Sequence, residues 1–270
     1  LAEEQQIAKD LAIEVASEGF VLLKNENNVL PLAKGGKVSL FGMHSVSLIA
    51  STSGSAGGST GANGIAESTL QMAMEKAGYR VNAKLVDLYT KHKTLGTTSN
   101  ELPMNYYSAA TISSYNGYGD AAIIVFSRTG SEGGDKLVSN VTDHSNPRDH
   151  ELMLDDNEKA IFQKIKDSGK FKKTVVLLNS VFAMEMDWLD EYNVDAVLWV
   201  GNPGFYGMPG AIRVVTGEVN PSGHTTATFA ANSLSAPSAE NFGLHAYNYG
   251  SKTPRAAGDS FVSYNEGIYV

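Results

Sequence analysis

Ala121-Ala-Ile-Ile-Val-Phe126 is an unbroken apolar run, and it leads directly into Ser127-Arg-Thr-Gly-Ser-Glu-Gly-Gly-Asp-Lys136. A strand that is apolar at every position, not at alternate ones, has both faces buried, as in parallel sheets covered by helices on either side. Two later runs share this character, Thr174-Val-Val-Leu-Leu178 and Ala196-Val-Leu-Trp-Val200. Upstream, Lys37-Val-Ser-Leu-Phe41 begins the sheet and residues 79–82 supply a second strand. Helical spacing occupies 65–77, stopping at Gly78 as a C-terminal cap, and recurs at 156–167 and 206–216. This alternation predicts an α/β fold: a three-layer sandwich with a mostly parallel, doubly wound sheet of about six strands flanked by helices. Ahead of the sheet, Ile7, Leu11 and Val15 recur every fourth residue and predict an amphipathic helix from 2 to about 23, ended by Asn25-Glu-Asn-Asn28 and Pro31. The expected organisation is an N-terminal helix and leading segment (1–30), the sandwich (31–235) with a Tyr-rich insertion at about 93–120, and a Pro/Ser-rich tail (236–270).

Composition narrows the function classes. The 270 residues are 42% hydrophobic, enough for a substantial core. A formal net charge of -8 with scattered Lys and Arg argues against a nucleic-acid or anionic-membrane surface, each of which needs a dense basic stripe. With no cysteine there is neither a disulfide framework nor a thiolate zinc site. No apolar run approaches the roughly 20 residues of a membrane-spanning helix. The start at Leu1-Ala-Glu-Glu and the apolar run at the end, Tyr264-Asn-Glu-Gly-Ile-Tyr-Val270, lead us to expect a chain truncated at both ends.

In open α/β sheets ligand-binding groups gather in loops at the carboxyl ends of the strands, here 42–64, 127–146 and 201–210. The second loop sets Glu132 among small residues directly after the most apolar strand, an arrangement able to project a carboxyl group, although most loop glutamates are simply solvated. Gly57-Gly-Ser-Thr-Gly61 fits the G-x-S-x-G pattern of an α/β-hydrolase esterase with Ser59 as nucleophile, but the preceding strand ends near Phe41, far from the sharp strand-to-helix turn this elbow needs. Its glycines equally suit a border to a ligand or a neighbouring domain. G-x-G-x-x-G and Walker A patterns are absent, which weakens a nucleotide-binding reading. The histidines at 44, 92, 144, 150, 224 and 245 never take metal-ligand spacing, and no cofactor is expected. Trp188 and Trp199 read as packing residues. Tyr106, Tyr107, Tyr115 and Tyr118 stand open between a platform for a ligand and a flap packed on the core.

Several blocks resemble one family in its order. Ala16-Ser-Glu-Gly-Phe-Val-Leu-Leu-Lys-Asn-Glu-Asn27 with Leu30-Pro-Leu32, Val175-Val-Leu-Leu-Asn-Ser180, Met186-Asp-Trp-Leu189, Asp195-Ala-Val-Leu-Trp-Val-Gly-Asn-Pro-Gly204 and Thr216-Gly-Glu-Val-Asn-Pro-Ser-Gly223 look like the α/β-sandwich domain of family 3 glycoside hydrolases. The resemblance extends through Ala236-Pro-Ser-Ala-Glu-Asn-Phe-Gly243 and Tyr264–Val270, so it spans nearly the whole chain apart from the Tyr-rich insertion. It implies a two-domain retaining β-glycosidase, β-glucosidase-like by default, in which a barrel supplies an aspartate nucleophile and the sandwich supplies a glutamic acid from a Ser-Gly-Glu-Gly-x-Asp-Arg loop. Gly130-Ser-Glu-Gly-Gly-Asp-Lys136 maps Glu132 onto that general acid/base, with Gly and Ser altered before it and Lys136 where Arg is common.

The resemblance further implies a β-linked glucoside or related oligosaccharide as substrate and a barrel partner absent from this chain. The chain would then be inactive alone, its tail leading toward the next domain. A bacterial setting, the cytoplasm preferred, goes with it and leaves the Asn140-Val-Thr142 glycosylation pattern idle. The alternative of another class is a sugar-binding or interface module without catalysis.

Overall fold

The computed structural model of the chain describes residues 2–49, 69–93, 101–128, 130 and 151–233. Six strands form one sheet: β1 (Val21–Asn25), β2 (Lys37–Phe41), β3 (Arg80–Val81), β4 (Ala121–Arg128), β5 (Thr174–Ser180) and β6 (Ala196–Trp199). Their spatial order is β1-β6-β5-β4-β2-β3. All neighbours are parallel except β1, which lies antiparallel to β6 at the edge. Every residue of β4 is buried, as its composition predicts. Alternate residues divide between two cores: Ala121, Ile123 and Val125 face one, Ala122, Ile124 and Phe126 the other. The three-layer, doubly wound expectation holds.

The first core is roofed by α1 (Ala2–Gly19), α2 (Leu70–Lys76) and α7 (Gly207–Val215). The second is roofed by α3 (Ala83–His92), α4 (Ala109–Ser113), α5 (Asp156–Ser168) and the four-residue α6 (Trp188–Glu191). Local signals set the ends. Thr69 caps α2 by accepting from the Met72 amide, Asn82 caps α3, and α5 opens with a reciprocal capping box between Asp155 and Glu158 and closes at Gly169 in the left-handed conformation.

Two expectations need correction. The N-terminal helix stops at Gly19, four residues short of 23, and Val21–Asn25 becomes the antiparallel edge strand. Moreover, the row Ile7, Leu11, Val15 is not the face that packs: these side chains are 61%, 57% and 61% exposed. The helix instead sets Ala16 and the buried Ser17 against α7, where small residues let the backbones approach. A Cβ at Gly210 would lie 2.9 Å from the Ile13 carbonyl and 3.0 Å from Ser17 Oγ, which itself donates to that carbonyl at 2.7 Å. Gly210→Val should therefore lower the unfolding free energy by about 1–3 kcal/mol, the usual cost of overpacking. Urea denaturation of the 270-residue chain measures it; an unchanged midpoint would show that this helix contact contributes nothing.

Candidate active site

The winding of the sheet marks one place for a site. From β2 the chain runs outward to β3, then returns to the other side of β2 as β4 and continues away through β5 and β6. Helices covering these two directions lie on opposite faces, α2 on one and α5 on the other, which makes the carboxyl ends of β2 and β4 a topological switch point, the place where open α/β sheets bind ligands. β2 turns off at Gly42, with φ +95° and so close to β4 that a Cβ would sit 2.3 Å from the Val125 carbonyl. Only glycine fits there. A short turn, Met43–Ser45, follows and carries His44 at the rim. A carbonyl only accepts, so the His44 Nδ1 contact at 3.0 Å to the Ser47 carbonyl requires the proton on Nδ1. Burial holds the ring below its usual 6.5, hence neutral at pH 7.

On the neighbouring strand, Arg128 is the last residue of β4 and wholly buried. All five of its N–H groups are used. Nη1 and Nη2 grip Glu158 Oε1 and Oε2 at 2.7 and 2.8 Å, and the remaining donors reach the carbonyls of Ser127 (2.8 Å), Glu151 (2.6 Å) and Met153 (2.6 Å). Burial works against the cation, but the Glu158 carboxylate outweighs it and keeps the guanidinium charged. Glu158 also accepts from the Asp155 amide at 2.9 Å as part of the capping box. One side chain thus ties the end of β4 to residues 151–158, the two ends of the segment 129–150.

Asn179, buried near the end of β5, joins the segments that follow β2 and β6 to the end of β4. Its Oδ1 accepts from the Ile49 amide at 2.7 Å and Ser127 Oγ at 3.0 Å, and its Nδ2 donates to the carbonyls of Ile49 at 2.9 Å and Gly201 at 2.6 Å. Gly130 passes so close to the turn after β5 that a Cβ would meet Val181 Cγ2 at 2.7 Å.

Below the β2 turn, buried Glu101 accepts from the Met43 amide at 2.8 Å and the Leu102 amide at 2.7 Å. Burial pushes its carboxyl up from 4.5 to about 8, with Glu158 and Asp155 adding to the shift and the two amides opposing it. Between these values the folded chain holds a proton that the unfolded chain has released. This contribution to stability is complete below about pH 4.5 and is lost as pH rises toward about 8. Urea midpoints measured across this window should fall for the wild type. Glu101→Gln cannot ionise and should show a shallower fall, starting from a lower midpoint because one amide loses its acceptor. An identical slope in both proteins would mean that Glu101 is ionised throughout.

Glu132 and Ser59 both lie outside the described residues. Trp188 is buried against Phe126 and Phe162, and Trp199 donates Nε1–H to the Ser180 carbonyl, both in packing roles. Within the Tyr-rich stretch, Tyr107 and Tyr115 are buried in the second core and Tyr89 and Tyr107 share a hydrogen bond, which favours the packed flap for this pair. Tyr106 is 41% exposed and lies against His92. Among the described residues no cluster of three His, Cys, Asp or Glu is arranged for a metal, and no helix is long and apolar enough to cross a membrane. Sequence reasoning missed Arg128, Glu158, Asn179 and Glu101. Asp155-x-x-Glu158 was readable as a capping box, but nothing local pairs Glu158 with Arg128.

The profile of the Glycosyl hydrolase family 3 C-terminal domain matches residues 20–270. Beta-glucosidase A of Butyrivibrio fibrisolvens is 28% identical over 277 aligned positions, covering 97% of this chain and 32% of that protein. A beta-glucosidase of Ruminococcus albus is 31% identical over 247 positions, covering 86% and 24% respectively. The solved structure of beta-glucosidase 3B from Thermotoga neapolitana in complex with glycerol matches with a TM-score of 0.72 at 27% identity, covering 87% of this chain and 32% of that one. The chain spans about a third or less of these relatives' length. Its sheet order, its sequence blocks and the profile match agree, and the chain belongs to glycoside hydrolase family 3, whose C-terminal α/β-sandwich domain it carries.

Proposed function

We propose that this chain is the half of a retaining β-glycosidase that supplies the general acid/base, Glu132, to a site shared with a barrel domain carrying the nucleophile. The observation that carries the reading is the position of the Gly130-Ser-Glu-Gly-Gly-Asp-Lys136 segment in the chain: it follows directly on β4, a strand that borders the switch point of the sheet, and Arg128 ties the end of that strand to residues 151 and 153 beyond the segment. Retention requires two carboxyl groups about 5–5.5 Å apart, one attacking the anomeric carbon and the other protonating the leaving oxygen and then deprotonating water. The second must begin protonated. Closure between two domains removes water from it, and the neighbouring carboxylate raises its pKa further. A sandwich domain alone provides neither effect, so the 270-residue chain is inactive by itself. Domain limits of 1–30, 31–235 and 236–270 belong to the same proposal, as does a β-linked glucoside as substrate, which rests on the beta-glucosidases among the relatives.

The test compares hydrolysis of an aryl β-glucoside by this chain and by the full product of its reading frame, with the anomer formed first read by NMR. Turnover by the longer protein alone, giving the β-anomer, is expected. An α-anomer, or equal turnover by the 270-residue chain, would overturn the proposal.

A further inference from the structure

The outer face of α1 is a surface with no use inside the described fold. Ile7, Leu11 and Val15 form its largest exposed apolar row, while the inner side of the helix packs through Ala16 and Ser17. Beside the row lies a cavity of about 480 Å³, walled by Val15, Ala16, Phe20, Trp199, Asn202 and Pro203 among others. The side-chain nitrogen and oxygen of Asn202 are both buried and find no hydrogen-bond partner. Buried polar atoms are nearly always paired, so an amide with both its donor and its acceptor unused marks a contact still to be made. The location adds to this. α1 runs into β1, whose Val21 lies opposite Trp199 at the carboxyl end of β6, so the cavity opens at the edge of the sheet where the parallel strands β2 and β4 also end.

We propose that the Ile7/Leu11/Val15 row and the Asn202 cavity are the docking surface for further polypeptide of the same protein, an apolar strip bordered by Lys or Arg whose backbone pairs with the Asn202 amide. The inference rests on the two-domain reading above. The beta-glucosidases that match this chain are three to four times as long, so in them further polypeptide accompanies this domain. The charge around the row selects the partner. α1 carries Glu3, Glu4, Asp10, Glu14 and Glu18 against the single Lys9, which sits over the Tyr206 ring. A second copy would set this negative surface against itself, whereas a basic border complements it.

Hydrogen–deuterium exchange of the α1 amides tests the proposal in the 270-residue chain and in the full product of the reading frame. Exchange at least tenfold slower in the longer protein is expected. Leu11→Lys with Val15→Lys should abolish that protection while leaving the thermal midpoint of the 270-residue chain unchanged, because both side chains are exposed there. Asn202→Leu should be neutral or stabilising in the short chain, having removed an unpaired amide, and should weaken protection in the long one. Equal exchange in both proteins would overturn the docking surface. So would a reading frame that ends with these residues, or a concentration-dependent dimer of the short chain that Leu11→Lys dissociates, which would make a second copy the occupant. Loss of the acid/base role at Glu132 with α1 still protected would sink the catalytic assignment alone.

Discussion

In the full product of the reading frame, Glu132→Gln is expected to lower the rate on an aryl β-glucoside with a poor leaving group by about 10²–10⁴-fold, the span general acid catalysis usually supplies. With an activated aryl leaving group the first step should be nearly normal, since a stable phenolate departs without protonation. Release of the sugar from the nucleophile is then slow, because no base remains to deprotonate water. Glycosyl-enzyme should accumulate, which lowers kcat and KM together on the activated substrate. Azide needs no base: it should restore turnover there and yield the β-glycosyl azide. Glutamine keeps the side chain's size, so this pattern distinguishes a proton donor from a residue that merely shapes the loop. Equal rates for mutant and wild type on both substrates would place the acid elsewhere. Equal losses on both without azide rescue would mean that Glu132 acts through structure.

The parts of the fold legible in the sequence are those whose burial is uniform. β4, β5 and β6 are covered on both faces and read as apolar runs; α5 announces itself by period and by its first-turn acids. The edges were harder. Val21-Leu-Leu-Lys-Asn25 follows α1 after one residue, and its Leu and Lys continue a helical-looking pattern, so nothing local separates it from the helix. Tertiary pairing with β6 makes it a strand. In α1 the periodicity was real but named the wrong face, because close packing on α7 selected alanine and serine over the larger apolar residues. α3 went unforeseen although Asn82 caps it, since its pattern merges into the polar, Tyr-rich stretch after it.

The site divides along the same line. The loops after β2 and β4 could be named from the position of apolar strands, and the strand order then made them neighbours at a switch point. The groups that hold them could not be found this way. Arg128 with Glu158, Glu101 with Met43, and Asn179 with Ile49 are bonded across 30, 58 and 130 residues respectively, and side-chain spacing carries no trace of such pairings.

Arg128 carries the larger stability effect. With its side chain fully buried and that of Glu158 5% exposed, neither charge of the pair has water to fall back on. Arg128→Met should cost about 3–5 kcal/mol of unfolding free energy, mostly because the Glu158 carboxylate is left buried without its cation. Urea denaturation of the 270-residue chain measures this. Glu158→Met alone should be similarly damaging, since it strands the guanidinium and also breaks the capping box at Asp155. Removing both charges as Arg128→Met with Glu158→Met should recover part of the loss, as buried pairs replaced together by apolar residues often do. Recovery should stay incomplete: the carbonyls of Glu151 and Met153, at the far end of the segment from β4, lose the donors that held them to the strand. The double-mutant cycle separates the two roles, its coupling energy reporting the ion pair and the unrecovered remainder reporting the tie between the segment's ends. If Arg128→Met costs less than about 1 kcal/mol, in the range of an exposed ion pair, the buried network does not hold these elements together.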